Sequence, residues 1–188
     1  MRNNKLKIIT ISGFSGCGKD TIVKELAKLP DVNIITPITS RPMRDSENQG
    51  NPYEFCTKEE FETYYNNGDL LEYYSYDTLL DGKEDTWYYG SLREDYKEDK
   101  INIIQMGVEA AEVFSITSNH DITTIFIDVP DDIREQRSKQ RGSFCQTEWD
   151  RRLKDDNRVF NSIVTDFIFI ENTNLEETIN NIKNLIST

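Results

Sequence analysis

A glycine-rich segment near the start of the chain has the residue types and spacing of a loop that binds phosphate. It runs Gly13-Phe14-Ser15-Gly16-Cys17-Gly18-Lys19 and lies between a short β-branched stretch and an amphipathic one, which is the strand-to-helix context of this motif. The glycines let successive backbone N–H groups turn toward one anion, and Lys19 can reach the β- and γ-phosphates. The segment therefore predicts a nucleoside triphosphate site formed by Gly13, Ser15, Gly16, Cys17, Gly18, Lys19, Asp20 and Thr21.

The residue after the lysine departs from this motif. Lys19 should be followed by Ser or Thr, whose hydroxyl binds Mg²⁺, whereas here it is followed by Asp20 and then Thr21. A carboxylate is a good ligand for this hard cation, so we predict that Asp20 binds Mg²⁺ directly or through water. The alternative is that Asp20 turns away as an early acidic residue of the helix and leaves Thr21 or only water to meet the metal.

A second set of polar, aromatic and glycine residues lies between positions 39 and 91. It comprises Thr39 to Glu47 with its two arginines, Gly50, Tyr53, Phe55, Glu59-Glu60-Phe61, Gly68, Leu71-Glu72 and Tyr89-Gly90-Ser91. In this order, and together with the phosphate loop, these residues closely resemble the guanylate kinase family over nearly the whole chain. The resemblance implies an enzyme that transfers the γ-phosphate of ATP to GMP or dGMP, with Mg²⁺ as cofactor.

The same resemblance implies a GMP site. Two arginines and two tyrosines would hold the phosphate, because guanidinium forks match phosphate oxygens and phenol hydroxyls add neutral donors. A carboxylate can accept from both N1 and the exocyclic amine of guanine, and adenine offers no such pair of donors. Taken singly, each residue could be a core aromatic or a surface ion pair, so the hypothesis depends on the set. Its members are Arg41, Arg44, Tyr53 and Tyr89 for the phosphate, Glu47 for positioning the arginines, and Glu72 and Ser91 for the base.

Basic residues are concentrated in one segment of this acidic chain. Between residues 134 and 158 there are eight basic and five acidic residues, an excess of +3. That is typical either of a solvated helix face or of a site for a small polyanion. The resemblance favours the second interpretation, because arginines here match the family's lid, which closes over the phosphates and excludes water. Arg134 and Arg151 lie nearby without a clear match. The implied catalytic residues are Lys19, Arg41, Arg137, Arg141 and Arg152, and Asn172 would border the adenine of ATP.

Three differences from the family pattern lie near the predicted base site. A serine four residues before the first arginine is replaced by Pro37. An acidic pair on a later strand is replaced by Asn102 and Ile104, which leaves Gln105 as a substitute. Both replacements weaken the guanine assignment more than the phosphate assignment. Residues 78–85 look like an inserted loop beside the base pocket.

The elements that must position these residues alternate between strands and helices. We predict strands at residues 7–11, 32–36, 101–104, 123–127 and 167–170. We predict helices from 18 to 30, from a capping box at Thr57 to Gly68, at 108–114, from 131 to a break at Gly142, at 147–160 and from a second capping box at Asn174. Together with the resemblance, this order predicts an α/β fold. It is a three-layer parallel sheet of the P-loop NTPase type, with a small GMP-binding lobe and an arginine-rich lid. Its single domain, 1–188, divides into a core (about 1–36, 97–136 and 159–188), a lobe (about 37–96) and a lid (about 137–158).

Composition limits the class of protein and its partners. The 188 residues are 36% hydrophobic and 30% charged, and no apolar run approaches the roughly 20 residues of a membrane-spanning helix. With no signal peptide at the start, we expect a cytoplasmic protein with no membrane partner. A formal charge of −12 disfavours nucleic acid as a partner. Cys17, Cys56 and Cys145 fit neither a disulfide framework nor a zinc site. The expected partners are ATP and GMP or dGMP, and the expected state is a monomer or homodimer.

Two other functions remain open at this stage. A kinase of the same fold could act on another nucleoside monophosphate or on a phosphorylated sugar; Glu72 and Ser91 favour guanine, whereas Pro37 and Ile104 disfavour it. A non-catalytic domain could bind phosphorylated peptides through the former GMP site. Domains of that kind have lost the donor site, whereas Lys19 is present here.

Overall fold

The computed structural model describes residues 5–44, 47–80, 83–140, 144–161, 163 and 166–186. The strands are β1 (Lys7–Ser12), β2 (Val32–Ile35), β3 (Ile38–Thr39), β4 (Glu54–Phe55), β5 (Leu70–Leu80), β6 (Lys83–Leu92), β7 (Ile101–Gln105), β8 (Asp121–Asp128) and β9 (Ile168–Glu171). The helices are α1 (Lys19–Leu26), α2 (Lys58–Asn67), α3 (Val108–Thr117), α4 (Asp131–Gln140), α5 (Gln146–Phe160) and α6 (Leu175–Ile186), with one 3₁₀ turn at Arg93–Asp95. The predicted strands and helices are all present, within a few residues of their expected bounds.

The larger sheet is parallel and has five strands in the order β2-β7-β1-β8-β9. Its central strands β1, β7 and β8 are rich in β-branched residues and buried on both faces, as in other parallel sheets covered by helices. In β1, Ile9 and Ile11 point to the face covered by α1 and α6, and Ile8 points to the face covered by α3. This three-layer arrangement confirms the predicted fold class and places the end of β1, where the phosphate loop begins, at the centre of the sheet.

A second sheet has four strands in the order β4-β3-β6-β5 and carries helix α2. Phe61 of α2 packs with Ile38 and Leu70 in a small separate core. The predicted capping box is confirmed: Thr57 Oγ1 accepts from Glu60 N–H, and the Glu60 carboxylate accepts from Thr57 N–H. The residues of the predicted GMP site from Arg41 to Ser91 all lie on or beside this sheet.

The prediction of an inserted loop at residues 78–85 is wrong. Strands β5 and β6 form a long antiparallel hairpin whose register continues to the pairs Thr78 with Asp85 and Leu80 with Lys83. Only two positions, 81 and 82, lie between the paired ends, and they are outside the described residues. Asp-Gly is a common sequence for a two-residue hairpin connection, so the sequence at these positions itself favours a hairpin over an inserted loop.

Two helices of the predicted lid follow β8. Helix α4 begins at Asp131 as predicted, and α5 packs beside it. The proposed break at Gly142 lies outside the described residues. In the last helix, Asn174 Oδ1 accepts from the N–H groups of Glu176 and Glu177, and Ile179 and Ile182 are buried. None of the helices in the described part of the chain is long and apolar enough to span a membrane.

Candidate active site

The phosphate loop follows β1 and ends in the N-terminus of α1. Gly16 and Gly18 adopt φ angles of 83° and 96°, a left-handed conformation that favours glycine. A Cβ atom at Gly16 would lie 2.8 Å from the Arg134 carbonyl oxygen, and one at Gly18 would lie 2.7 Å from Asn172 Nδ2. Lys19 Nζ donates to the Gly13 carbonyl oxygen at 2.6 Å. The loop therefore needs glycine both for its backbone turns and for the close approach of the surrounding residues.

A cavity of about 400 Å³ lies in front of the loop. The donor side contributes Ser15, Gly16, Gly18, Lys19 and Asp20, and the lobe contributes Arg41, Arg44, Glu47, Pro52, Tyr53 and Tyr89. Gln105, at the end of β7, completes the lining and donates from Nε2 to Asp20 Oδ1 at 3.1 Å. Of the other predicted donor residues, Cys17 is fully buried behind the loop and Thr21 is exposed on α1, and neither lines this cavity. The two predicted phosphate sites thus face one shared space.

An ion pair organises the lobe side of this cavity. Arg41 is only 4% exposed, and its Nη2 donates to Glu47 Oε1 at 2.9 Å while Arg44 N–H donates to Glu47 Oε2 at 2.9 Å. Burial alone would raise the pKa of Glu47, but its hydrogen bonds with Arg41 and Arg44 outweigh burial and hold the pKa below its ordinary value. The rings of Tyr53 and Phe55 lie 5.4 Å from the Arg41 guanidinium. Glu47 therefore contacts the Arg41 side chain and the Arg44 backbone, and its positioning role, implied by the resemblance, stays a prediction.

Two tyrosines beside these arginines remain neutral at physiological pH. Burial raises the pKa of Tyr53 to about 12, with Tyr89 adding to the shift and Arg41 opposing it. Burial also raises the pKa of Tyr89 although Arg41 acts to lower it. Their ring centroids are 5.7 Å apart. Two protonated phenols next to a buried guanidinium form a set of donors suited to a phosphate group.

Glu72 and Ser91 are direct cross-strand partners on β5 and β6, beside an irregularity in the pairing between Leu70 and Glu72. Burial raises the pKa of Glu72 to about 7, even though the hydrogen bond from Ser91 acts to lower it. Ser91 is fully buried, and its Oγ lies 2.9 Å from the hydroxyl oxygen of Tyr96. The predicted pair is therefore brought together by strand pairing, and Tyr96 is a further partner that the sequence analysis missed.

Glu72 lines a second, larger cleft of about 2210 Å³ between the hairpin, α3, α5 and the phosphate loop. Tyr74 also lines it and was missed by the sequence analysis. Its ring stacks on Tyr89 with centroids 5.1 Å apart and planes 7° from parallel, and it accepts a hydrogen bond from the Gly107 backbone N–H. Tyr74 follows Glu72 by two positions on a strand, so the period of two could have placed both on one face.

The arginines of the lid region lie at different distances from the cavity. Arg152 Nη1 donates to Ser15 Oγ at 3.0 Å, at the rim of the phosphate loop. Arg137 donates to the carbonyl oxygens of Cys17 at 3.4 Å and Asn172 at 2.8 Å. Arg141 is outside the described residues. Of the described arginines in the predicted lid, Arg152 lies beside the predicted phosphate site, and Arg137 contacts the loop from behind.

Asn172 is buried at the end of β9 and connects the phosphate loop to α6. Its Nδ2 donates to the Cys17 carbonyl oxygen at 2.7 Å, and its Oδ1 accepts from Thr178 Oγ1 at 3.0 Å. Its side chain is thus committed to the protein interior beneath the loop. The observed contact of Asn172 is with the phosphate loop. Its contact with the adenine of ATP, which the resemblance implies, stays a prediction.

Three of the positions that differ from the family pattern, Pro37, Asn102 and Ile104, line neither cavity. Asn102 is fully buried and binds the backbone of Lys97 through both its N–H and its carbonyl oxygen. Ile104 is part of the core on the α3 side of the sheet. The Pro37 carbonyl oxygen accepts from Glu54 N–H in the lobe. None of these three residues lines either cavity, whereas Gln105 does, next to Asp20.

A parallel sheet with a glycine-rich phosphate loop after its central strand, facing a second anion site on a separate lobe, defines a nucleotide kinase of the P-loop class. The chain belongs to the guanylate kinase family, since the family model described as Guanylate kinase matches residues 5–188. The guanylate kinase of Mycoplasmoides gallisepticum is 34% identical over 192 residues, covering 99% of this chain and 94% of that protein. The guanylate kinase of Chlamydia abortus is 36% identical over 155 residues, covering 79% and 71%.

The fold is also similar to that of a solved guanylate kinase. The crystal structure of guanylate kinase from Anaplasma phagocytophilum matches 98% of this chain and 86% of that chain, with a TM-score of 0.67 and 20% sequence identity. At this identity the match concerns the fold alone. The comparisons confirm the predicted family, fold class and enzyme class.

Proposed function

We propose that this protein transfers the γ-phosphate of ATP to GMP or dGMP, giving ADP and GDP or dGDP. One observation carries the proposal: the phosphate loop with Lys19 and the arginine pair Arg41 and Arg44 line the same cavity of about 400 Å³. Two anions bound at these places have their phosphates next to each other. In-line phosphoryl transfer needs little covalent help from the protein and depends mainly on such positioning and on charge stabilisation.

On the donor side, the backbone N–H groups of residues 13–19 hold the β- and γ-phosphates, and Lys19 neutralises the charge that develops during transfer. Lys19 can leave its contact with the Gly13 carbonyl oxygen for a phosphate oxygen, because a charged acceptor makes the stronger hydrogen bond. Arg152 at the Ser15 side chain, with Arg137 and Arg141, belongs to the lid of residues 137–158, which covers the donor. Closure excludes water, so that the acceptor phosphate takes the phosphoryl group.

On the acceptor side, Arg41, Arg44, Tyr53 and Tyr89 bind the phosphate of the monophosphate. Glu47 accepts from Arg41 Nη2 and from the Arg44 backbone N–H, which fixes the Arg41 guanidinium and the backbone that carries the Arg44 side chain. Glu72 accepts from N1 and the exocyclic amine of guanine when its carboxyl group is ionised. Because Glu72 lies in the larger cleft that Arg44, Tyr53 and Tyr89 also line, one GMP molecule can contact base and phosphate residues together.

Mg²⁺ fits the residues of the shared cavity. It seeks oxygen ligands in octahedral geometry and is usually bound by one or two carboxylates together with substrate phosphates. Asp20 supplies carboxylate oxygens in the cavity lining, where Gln105 Nε2 donates to its Oδ1, and we propose that Asp20 would hold the ion directly or through water. When bound, Mg²⁺ neutralises charge on the β- and γ-phosphates.

A panel of nucleoside monophosphates, assayed for ADP production with ATP and Mg²⁺, tests the proposal. GMP or dGMP should be the best acceptor, and the Glu72→Gln variant should lose more activity with guanine nucleotides than with others. A preference for dTMP, CMP or AMP would instead support a kinase of the same fold with another acceptor. Absence of ATP-dependent turnover with every acceptor would support a non-catalytic binding domain.

A further inference from the structure

Arg134 carries the largest fully buried side chain among the described residues, although it is charged. It lies on α4 and is 1% exposed. Its Nη1 donates to the Ser15 carbonyl oxygen of the phosphate loop at 3.0 Å and to Asp156 Oδ2 of α5 at 2.8 Å. Its Nη2 donates to Asp131 Oδ1 at 2.5 Å. One guanidinium therefore joins the loop to both helices of the lid region.

Two aromatic rings complete this environment. The Phe14 ring of the phosphate loop and the Trp149 ring of α5 lie 5.1 and 5.4 Å from the Arg134 guanidinium carbon. The contact between loop and helix is thus made through stacking as well as through hydrogen bonds. These five contacting groups of Arg134 all belong to the loop, to α4 or to α5.

Stability alone gives no reason for an arginine at this position. Replacing a buried ion pair with well-packed apolar residues is often neutral or stabilising. Arg134 Nε is moreover buried with no hydrogen-bond partner in the described part of the chain. A buried polar group without a partner carries a cost that an apolar side chain would avoid. The observations therefore favour a role for Arg134 in placing the groups that it binds.

The group most directly placed is the backbone of the phosphate loop. A loop that points its N–H groups at an anion must direct its carbonyl groups elsewhere. Ser15 lines both cavities, whereas Arg134 lines neither, so Arg134 binds the Ser15 carbonyl oxygen on the side away from the ligand space. The α4 backbone also approaches closely enough that only glycine fits at position 16. Helix α5 also contacts the same loop residue directly, because Arg152 Nη1 donates to Ser15 Oγ.

We propose that Arg134 is a positioning residue for the donor site, which orients the Ser15 peptide for triphosphate binding and attaches α5, with Arg152, to the loop. The proposal rests on the proposed function in treating this loop as the ATP site. Arg134 is expected to act on ATP affinity and not on GMP affinity, because none of its described contacts is with the lobe. ATP binding can be measured without acceptor, so the test does not depend on which monophosphate is phosphorylated.

The experiment compares four variants in the full chain. Arg134→Met removes the guanidinium, and Arg134→Lys keeps the charge with fewer donors. The double variant Arg134→Met with Asp156→Leu replaces the buried pair with apolar groups. Arg158→Met removes an exposed arginine of α5, the helix that carries Asp156, and serves as the matched control. For each variant the melting temperature, the Kd of ATP with Mg²⁺ by calorimetry, and the KM of ATP and GMP are measured.

Arg134→Met should weaken ATP binding by about tenfold or more, change the KM of GMP by less than about threefold, and lower the melting temperature because Asp156 is left buried without its partner. Arg134→Lys should restore part of the ATP affinity. The double variant is the decisive one, and it keeps the test valid if Arg134→Met does not fold. It should regain the melting temperature but not the ATP affinity. Recovery of both in the double variant, or equal losses for ATP and GMP, would overturn the proposal.

Discussion

Glu72 is the residue of the candidate site whose protonation should change near neutral pH. Burial raises its pKa to about 7, against the opposing hydrogen bond from Ser91. Only the ionised carboxylate can accept from both N–H groups of guanine, because the protonated form carries a hydrogen on one oxygen. The affinity for GMP should therefore fall as the pH falls through 7.

The size of the change in GMP affinity follows from the fraction of Glu72 that is ionised at each pH. With a pKa of about 7, the ionised fraction of Glu72 falls from about nine tenths at pH 8 to about one tenth at pH 6. The apparent Kd rises in inverse proportion, which is about tenfold, or about 1.4 kcal/mol. The GMP phosphate also titrates at about pH 6, so the pH dependence of the wild-type Kd alone does not isolate Glu72.

The assay is calorimetric titration of GMP at pH 6, 7 and 8 into wild type and Glu72→Gln. The phosphate titration is common to both proteins, so the ratio of their Kd values isolates the Glu72 carboxyl group. Glu72→Gln should bind GMP more weakly than wild type at pH 8, and the difference should narrow at pH 6. An equal pH slope in both proteins would refute the reasoning, because Glu72 would then not titrate in this range or would not contact the base.

Three further outcomes are expected. Glu72→Gln should be as stable as wild type below about pH 4.5, because the carboxyl and the amide are then both neutral. Above pH 7 the variant should be more stable by up to about 3 kcal/mol, because a carboxyl group whose pKa is raised by folding lowers the stability of the folded state as the pH rises. Denaturant unfolding at pH 4.5 and pH 8 measures the difference. Arg41→Ala and Arg44→Ala should each lower kcat/KM for GMP at least tenfold, or about 1.4 kcal/mol, and wild-type kinetics in either would remove the phosphate site from this place. Asp20→Ser should keep most activity while reducing the dependence of ATP binding on Mg²⁺; an unchanged dependence would contradict a metal role for Asp20.

Features that depend on neighbouring residues were predictable from the sequence. The phosphate loop is a local motif, and its glycines are required by backbone angles at Gly16 and Gly18. The capping box at Thr57 and Glu60 is local as well, and its two hydrogen bonds form as the spacing indicates. The β-branched runs predicted the parallel strands because the central ones, β1, β7 and β8, are buried on both faces. In each of these features the residues that form the predictive pattern are only a few positions apart in the sequence.

Features that depend on distant residues were not predictable in the same way. Residues 78–85 look like an inserted loop because they are mostly polar, and only the pairing of β5 with β6 shows that they form the tip of a hairpin. Tyr74 stacks on Tyr89 across this hairpin, and only the register shows that contact. The burial of Arg134 requires Asp156, which is 22 positions further along the chain on another helix. An arginine in a charged segment looks solvated until such a partner is known.

The charges that line the shared cavity only partly neutralise two nucleotides bound there at the same time. Its lining has three cationic side chains, Lys19, Arg41 and Arg44, and two anionic ones, Asp20 and Glu47. Arg41 is already paired with Glu47, so the excess positive charge is small compared with that of a triphosphate and a monophosphate brought side by side. Repulsion between the two phosphates must then be offset by cations that arrive with the substrates or close over them. Arg152 lies at the loop rim and can supply one such charge, and the divalent ion proposed at Asp20 would supply another. We expect that ion to bind most tightly when both nucleotides are present.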